Sequence, residues 1–353
     1  MFRLIECAIF LAILLSIGCA GNPVTKVSSS DNEFPNELPK EIQNKFEVKD
    51  ATVLAQTSAI LVPKPSVSDG EQAATEPTRK KSAKAGKKKK NEVAAREPQQ
   101  QAQKVTYSFT YPSRRPTRDP IWVSEQHVFG ITYFGVPAGD FTLDVLPHKA
   151  VAERKVYHIK GTAVSSKLFS IFYRLHDTVE TFMDFEGLFS HRFHVVLDET
   201  KQSRDSLELY DSEKSQTFYW NRWNHKQRGY TETKEFQPIQ PFSQDSLSAL
   251  FYLRTIPLPE DSIVTFPVVS EGKSWEAVVT VVRREMLDTP IGKVQTVVVK
   301  PQTKYQGILQ QTQGDSFLWL TDDDRRFVIR LEAKVKIGTV VASLKKLESG
   351  TPP

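Results

Sequence analysis

Cys19 is the side chain in this sequence best placed to do chemistry. It ends the run Leu14-Leu15-Ser16-Ile17-Gly18-Cys19, and its thiol is a nucleophile open to lipidation. The densest charged cluster is Asp322-Asp323-Asp324-Arg325-Arg326. Three adjacent carboxylates offer oxygen ligands to a hard cation, and with the arginines they form a candidate interaction surface. The same residues suit a hairpin turn, where Asp is favoured and the arginines pair with it. Phe218-Tyr219-Trp220-Asn221-Arg222-Trp223 offers aromatic faces that stack on sugars or fill a sheet core. His191 and His194 are three apart, and His158 and His225 stand alone, so no histidine pattern points to a metal. The chain has no HExxH, no G-x-S-x-G elbow and no P-loop. These residues predict no catalytic group, no metal site and no cofactor.

The apolar run from Cys7 to Ile17 carries no charge and follows one basic residue, Arg3. It is too short for a membrane span, which takes roughly 20 residues. With Gly18 before Cys19 it has the form of a bacterial lipoprotein signal peptide, residues 1–18, cleaved between Gly18 and Cys19. Ser16 stands where such a motif has Leu, and a secretory signal peptide cut near Ala20 is the alternative. A lipid on Cys19 places the protein in the bacterial cell envelope, anchored in the outer membrane and facing the periplasm. The two cysteines, Cys7 and Cys19, both lie in the leader, so the mature chain forms no intramolecular disulfide.

Residues 19–103 read as a disordered tether, rich in Pro, Ser and Lys. One basic tract stands out: Arg79, Lys80, Lys81, Lys84, Lys87, Lys88, Lys89 and Lys90, with no acid among them. It reads as a solvated spacer or as a contact for anionic head groups and polymers. No aromatic residues interleave it, so nucleic acid is not expected. The whole chain is +5, and removing these eight charges leaves the remainder near −3.

Residues 104–347 read as one β domain, with a disordered tail at 348–353. Val105–Tyr111, Phe141–Val145, Val156–Gly161, Glu276–Val282, Val294–Val299, Ser316–Leu320 and Phe327–Val335 read as half-buried strands, most by period-two alternation. Val136-Pro137-Ala138-Gly139, Asp288–Gly292 and Thr321–Asp324 carry turn signals. Two helices are predicted. Ser165–Arg174 has Leu168, Ile171, Phe172 and Leu175 as its stripe. Asp245–Thr255 has Leu247, Leu250, Phe251 and Arg254, with Ser243 as a cap. The expected fold is mainly β: an antiparallel curved sheet or half-barrel with two short amphipathic helices.

Several segments resemble one bacterial family. They are Phe129–Gly139, Asp245-Ser246-Leu247-Ser248-Ala249-Leu250-Phe251-Tyr252-Leu253-Arg254, Thr289–Lys293, Trp319–Arg326 and Lys336–Val340. In order and spacing they are similar to the DUF3108 family over roughly residues 128–344. The resemblance implies an exported β-rich envelope protein and carries no activity. The leading expectation is a non-enzymatic envelope lipoprotein whose tethered domain binds an envelope protein or cell-surface polymer. The alternative is a carrier or chaperone for an apolar ligand, such as a lipid or acyl chain, in a curved-sheet groove. A hydrolase acting on envelope polymers ranks third. A packed core favours the binding module, and an open apolar cavity favours the carrier.

Overall fold

The structure, a computed structural model, describes residues 32–52, 109–305, 308–310 (backbone only), 315–334 and 338–352. Gly18, Cys19 and the basic tract lie outside the described residues. The strands are β1 (Lys49–Asp50), β2 (Val123–Tyr133), β3 (Val136–Val151), β4 (Arg154–Ser165), β5 (His176–Asp184), β6 (Ser190–Asp198), β7 (Gln202–Asp211) and β8 (Gln216–His225). They continue as β9 (Gly229–Pro238), β10 (Ile263–Ser270), β11 (Lys273–Thr289), β12 (Gly292–Tyr305), β13 (Ile308–Gln310), β14 (Ser316–Thr321), β15 (Val328–Lys334) and β16 (Thr339–Thr351). All belong to one antiparallel sheet. Its order is β10-β11-β12-β14-β15-β16-β2-β3-β4-β5-β6-β7-β8-β9, with β1 on β3 and β13 on β12. The ends β10 and β9 do not pair, so the sheet curls without closing.

Alternation sets the inner face. In β2, Glu125, His127, Phe129, Ile131 and Tyr133 are buried while their neighbours are not. Phe129, Ile131 and Tyr133 join one continuous core with Val145, Ile159, Phe193, Val298 and Leu320. Helix α2 (Ser246–Thr255) lies across this face, against β5 and β10. Asp245, rather than the expected Ser243, caps it: its Oδ1 accepts from Leu247 N at 2.8 Å and Ser248 N at 2.7 Å. The preceding residue, Gln244, bridges to Val268 and so covers part of the open β10 edge. Leu247, Phe251, Leu253 and Arg254 are buried, and Leu250 is only half-buried.

The second predicted helix is absent. Residues 165–174 make only a 3₁₀ turn, Phe169–Ile171. Ser165 N donates to Leu175 O, tying the ends of the loop together; Leu175 is buried, whereas among the described residues nothing buries Leu168, Ile171 and Phe172. The turn expected at Val136–Gly139 falls two residues earlier, at Phe134-Gly135, where both residues have positive φ (51° and 75°). Pro137 and Gly139 are strand residues of β3. The expected strand at Val105–Tyr111 is not formed over its described part, 109–111. The tail expected to be disordered instead continues β16, pairing Glu348 with Gln126 and Thr351 with Val123.

The largest departure lies inside the stretch read as tether. Residues 32–52 form a strap with helix α1 (Lys40–Phe46), and β1 pairs with β3. Phe34, Leu38, Ile42 and Phe46 pack on the outer face of the sheet against Val156, Phe182, Leu207, Leu209, Phe218 and Trp220. Glu33 pairs with Arg222 at 2.7 Å, and Lys45 with Asp211 at 3.1 Å. The strap therefore covers the second face of β4–β8. That explains why β7 is buried almost without alternation.

Candidate binding groove

β7, β8 and β9 turn alternate side chains to opposite faces. Registers Arg204↔Trp223, Ser206↔Asn221 and Glu208↔Tyr219 place these residues on the inner face, with Thr233 and Glu235 opposite Asn221 and Tyr219. The β10–β11 turn lies across them. Gly272 has φ 73°, and its N–H donates to Glu208 Oε1 at 2.8 Å. A Cβ there would approach Glu235 Oε1 to 3.1 Å, so the turn needs glycine at this point. Between sheet and turn is a groove of about 360 Å³, lined among others by Arg204, Tyr219, Trp223, Arg228, Glu271 and Lys273.

The groove wall is held by polar contacts. Arg204 donates to Asn221 Oδ1 at 2.6 Å, Tyr219 OH at 2.7 Å and Glu271 Oε1 at 2.9 Å. Trp223 Nε1 donates to Gln202 Oε1 at 2.8 Å, and Gln202 Nε2 donates to Glu199 Oε2 at 2.7 Å. Glu199 is buried beside Asp177 and accepts a short bond from Tyr173 OH. Burial pushes the Asp177 carboxyl well up, and the Glu199 charge adds to this; Glu199 is also raised by burial. Glu199 thus holds the Gln202 amide, and Gln202 holds the indole plane. The Arg228 guanidinium lies 5.5 Å from the Trp223 ring centre. The wall thus presents one half-exposed aromatic face with cations and carboxylates around it.

Alternation splits the aromatic group Phe218–Trp223. Tyr219, Asn221 and Trp223 face the groove, whereas Phe218 and Trp220 lie under the strap. Core and surface readings each hold for half of it. Asp322–Arg326 forms the β14–β15 turn, as turn chemistry predicts, and its side chains are engaged within the domain. Asp322 pairs with Arg284 at 2.8 Å. Asp323 Oδ1 accepts from Arg325 N and Arg326 N at 3.0 and 2.8 Å. Asp324 meets Arg118, and Arg326 donates to Ile256 O. Arg325 reaches Glu125 at 2.7 Å and stacks on Trp122.

Glu125 is the residue that sequence reasoning missed. It accepts from Arg254 Nη1 at 2.6 Å and Nη2 at 3.0 Å, and lies 2.8 Å from His127 Nε2. Burial alone would raise its pKa; Arg254 and His127 overcome this and hold it at about 2. A Glu and a His two apart in a strand share a face, which was the available signal. A second hub, Asp184, binds Arg154, and His191 Nε2 lies 2.9 Å from it. His194 and His158 sit at 2.8 and 3.2 Å from Asp205 and Glu180. Among the described residues no group of three or more His, Cys, Asp or Glu is arranged to hold a metal.

No curated protein matches the chain. Three solved structures are similar in part. A β-barrel-like DUF1849 protein of Brucella abortus has a TM-score of 0.43 at 10% identity, covering 64% of this chain and 98% of that one. A Bacteroides fragilis protein described as exported, with a YmcC-like fold, scores 0.29 at 10% identity, covering 68% and 99%. A Parabacteroides distasonis protein described as a lipoprotein scores 0.29 at 7% identity, covering 68% and 100%. The profile of a family described as a protein of unknown function matches residues 128–345, from β2 to β16. With more than half of its length matched, the chain belongs to the DUF3108 family.

Proposed function

We propose that this protein is a non-enzymatic, lipid-anchored envelope protein that takes a polyhydroxylated segment of a cell-surface polymer into the β7–β9 groove. The observation that carries this reading is Trp223, held edge-on by Gln202 and ringed by donors and acceptors. An aromatic face with planar polar side chains suits a sugar ring, whose C–H face stacks while its hydroxyls bond in the ring plane. Arg204, Arg228 and Lys273 against Glu235 and Glu271 leave the lining nearly balanced in charge, which favours a neutral polyol. Of the two acids in the lining, Glu271 pairs with Arg204 and Glu235 accepts from Gln237. A carrier needs an open apolar interior, and the inner face is filled by Phe129, Ile159, Phe193 and Phe251.

Trp223→Ala is expected to weaken binding to isolated cell-wall sacculi about tenfold, near 1.4 kcal/mol, with little change in melting temperature. Unchanged sacculus binding by this variant would move the site elsewhere. Anchoring is tested separately. Cys19→Ser should abolish incorporation of a fatty-acid probe and release the protein from membranes; equal labelling of wild type and variant would refute a lipid on Cys19.

A further inference from the structure

Consecutive antiparallel strands put every second connection at the same end of the sheet. The β2–β3 turn, the 166–175 loop and the β6–β7, β8–β9 and β10–β11 turns therefore share one rim, and β15 ends on the same side. Backbone bonds tie them together: Ser166 N to Ala138 O at 2.8 Å, Thr200 N to Arg174 O at 2.9 Å, and Lys226 N to Lys201 O at 2.9 Å. The failed helix leaves its apolar stripe on this rim. Leu168, Ile171 and Phe172 are 64%, 67% and 70% exposed, and Phe134, in the β2–β3 turn of the same rim, is 61% exposed. These are the most exposed large hydrophobic side chains among the described residues save Ile263.

The charges of the same rim are one-sided. Lys167, Lys226, Arg228, Lys273 and Lys334 are exposed. Its acids are already paired inside the domain: Asp140 with Lys345, Asp198 with Arg174 at 2.8 Å, Glu271 with Arg204 at 2.9 Å, and Asp315 with Lys300 at 2.7 Å. Glu199 is buried. Apolar tips within a ring of cations are the chemistry of an interfacial membrane contact, where side chains enter the headgroup–acyl boundary and lysines meet anionic lipid. The exposed tips stand on two separate connections of the rim, which suits a deformable bilayer.

We propose that this rim docks on an anionic lipid bilayer through Phe134, Leu168, Ile171 and Phe172. The proposal rests in part on the envelope reading, in which Cys19 is the anchor. Cys19 lies 13 residues before Asn32, so the strap stays within about 45 Å of the membrane even when the intervening chain is fully extended.

The test uses the full chain with Cys19→Ser and with the eight basic residues of 79–90 changed to Ser, so that neither lipid nor tract contributes. This protein should bind phosphatidylglycerol vesicles and not phosphatidylcholine vesicles. Leu168→Ser/Ile171→Ser/Phe172→Ser should lower that binding at least about tenfold. Its melting temperature and sacculus binding should stay unchanged, and Phe172→Trp should retain vesicle binding. The proposal is overturned if the parent ignores anionic vesicles or if the triple variant binds like the parent. It is also overturned if the triple variant melts lower, because its own chain then covers the tips. The same holds if the triple variant turns a dimer into a monomer, because a second copy is then the occupant.

Discussion

Glu125→Gln is expected to destabilise the domain by about 3–5 kcal/mol, the range for removing one partner of a buried ion pair. Both the Arg254 and Glu125 side chains are fully buried, and Arg325, which also reaches Glu125, is largely so. Gln fills the same space but leaves Arg254 and Arg325 without a counter-charge. At 1 kcal/mol per about 2–4 °C, the melting temperature should fall by roughly 10 °C. The pH dependence has a definite sign. The carboxyl is held at about 2, below its ordinary 4.5, so it stabilises the fold above pH 4.5. That contribution is lost as pH falls from 4.5 towards 2, because the unfolded chain then binds the proton first. The variant should therefore lose less stability than wild type over that window. Equal melts at pH 7, or parallel acid curves for the two proteins, would show that the arginines find compensation elsewhere.

Phe251→Ala should cost about 3–5 kcal/mol, as for large aromatics removed from a packed core. Phe251 is 1% exposed on the α2 face that seals the sheet, and the Arg254 guanidinium lies 4.9 Å from its ring centre. Truncation opens a void beside the Glu125 hub, so the two losses should be more than additive in the double variant. Leu250→Ala is the internal control. Leu250 is only half-buried, and its truncation should cost clearly less. Denaturant midpoints in which Leu250→Ala falls as far as Phe251→Ala would mean that α2 sits in a different rotation from the one described.

Two local regularities were legible without the fold. Period-two alternation in Phe141–Val145 and β-branched apolar runs elsewhere marked the strands now seen as β3, β4, β11, β12, β14 and β15, because such residues fit a pleated, at least half-buried surface. Turn chemistry found Pro290-Ile291 and Asp322–Arg325, where few residue types satisfy the backbone. Helix α2 was visible because an apolar stripe runs up to Pro257, which cannot continue it, although its cap proved to be Asp245 and not Ser243. By itself, then, the sequence determined the class of fold, the family and the best-formed helix.

The rest depended on what lay opposite each segment. Leu168, Ile171 and Phe172 have helical spacing, yet a stripe makes a helix only when a surface buries it, and among the described residues none does. Phe34, Leu38, Ile42 and Phe46 recur every four residues, a signal hidden by Pro35 and Pro39 until the outer face of β4–β8 claimed it. A net charge near −3 for the remainder conceals a basic rim, because its acids are neutralised by partners distant in sequence, as Asp140 is by Lys345 and Glu271 by Arg204. Glu125 looked like any strand carboxylate; only folding brings Arg254 and Arg325 to it, across 129 and 200 positions. Local patterns report a residue's neighbours in the chain, whereas burial, pairing and exposure depend on neighbours in space, and those exist only once the sheet has curled.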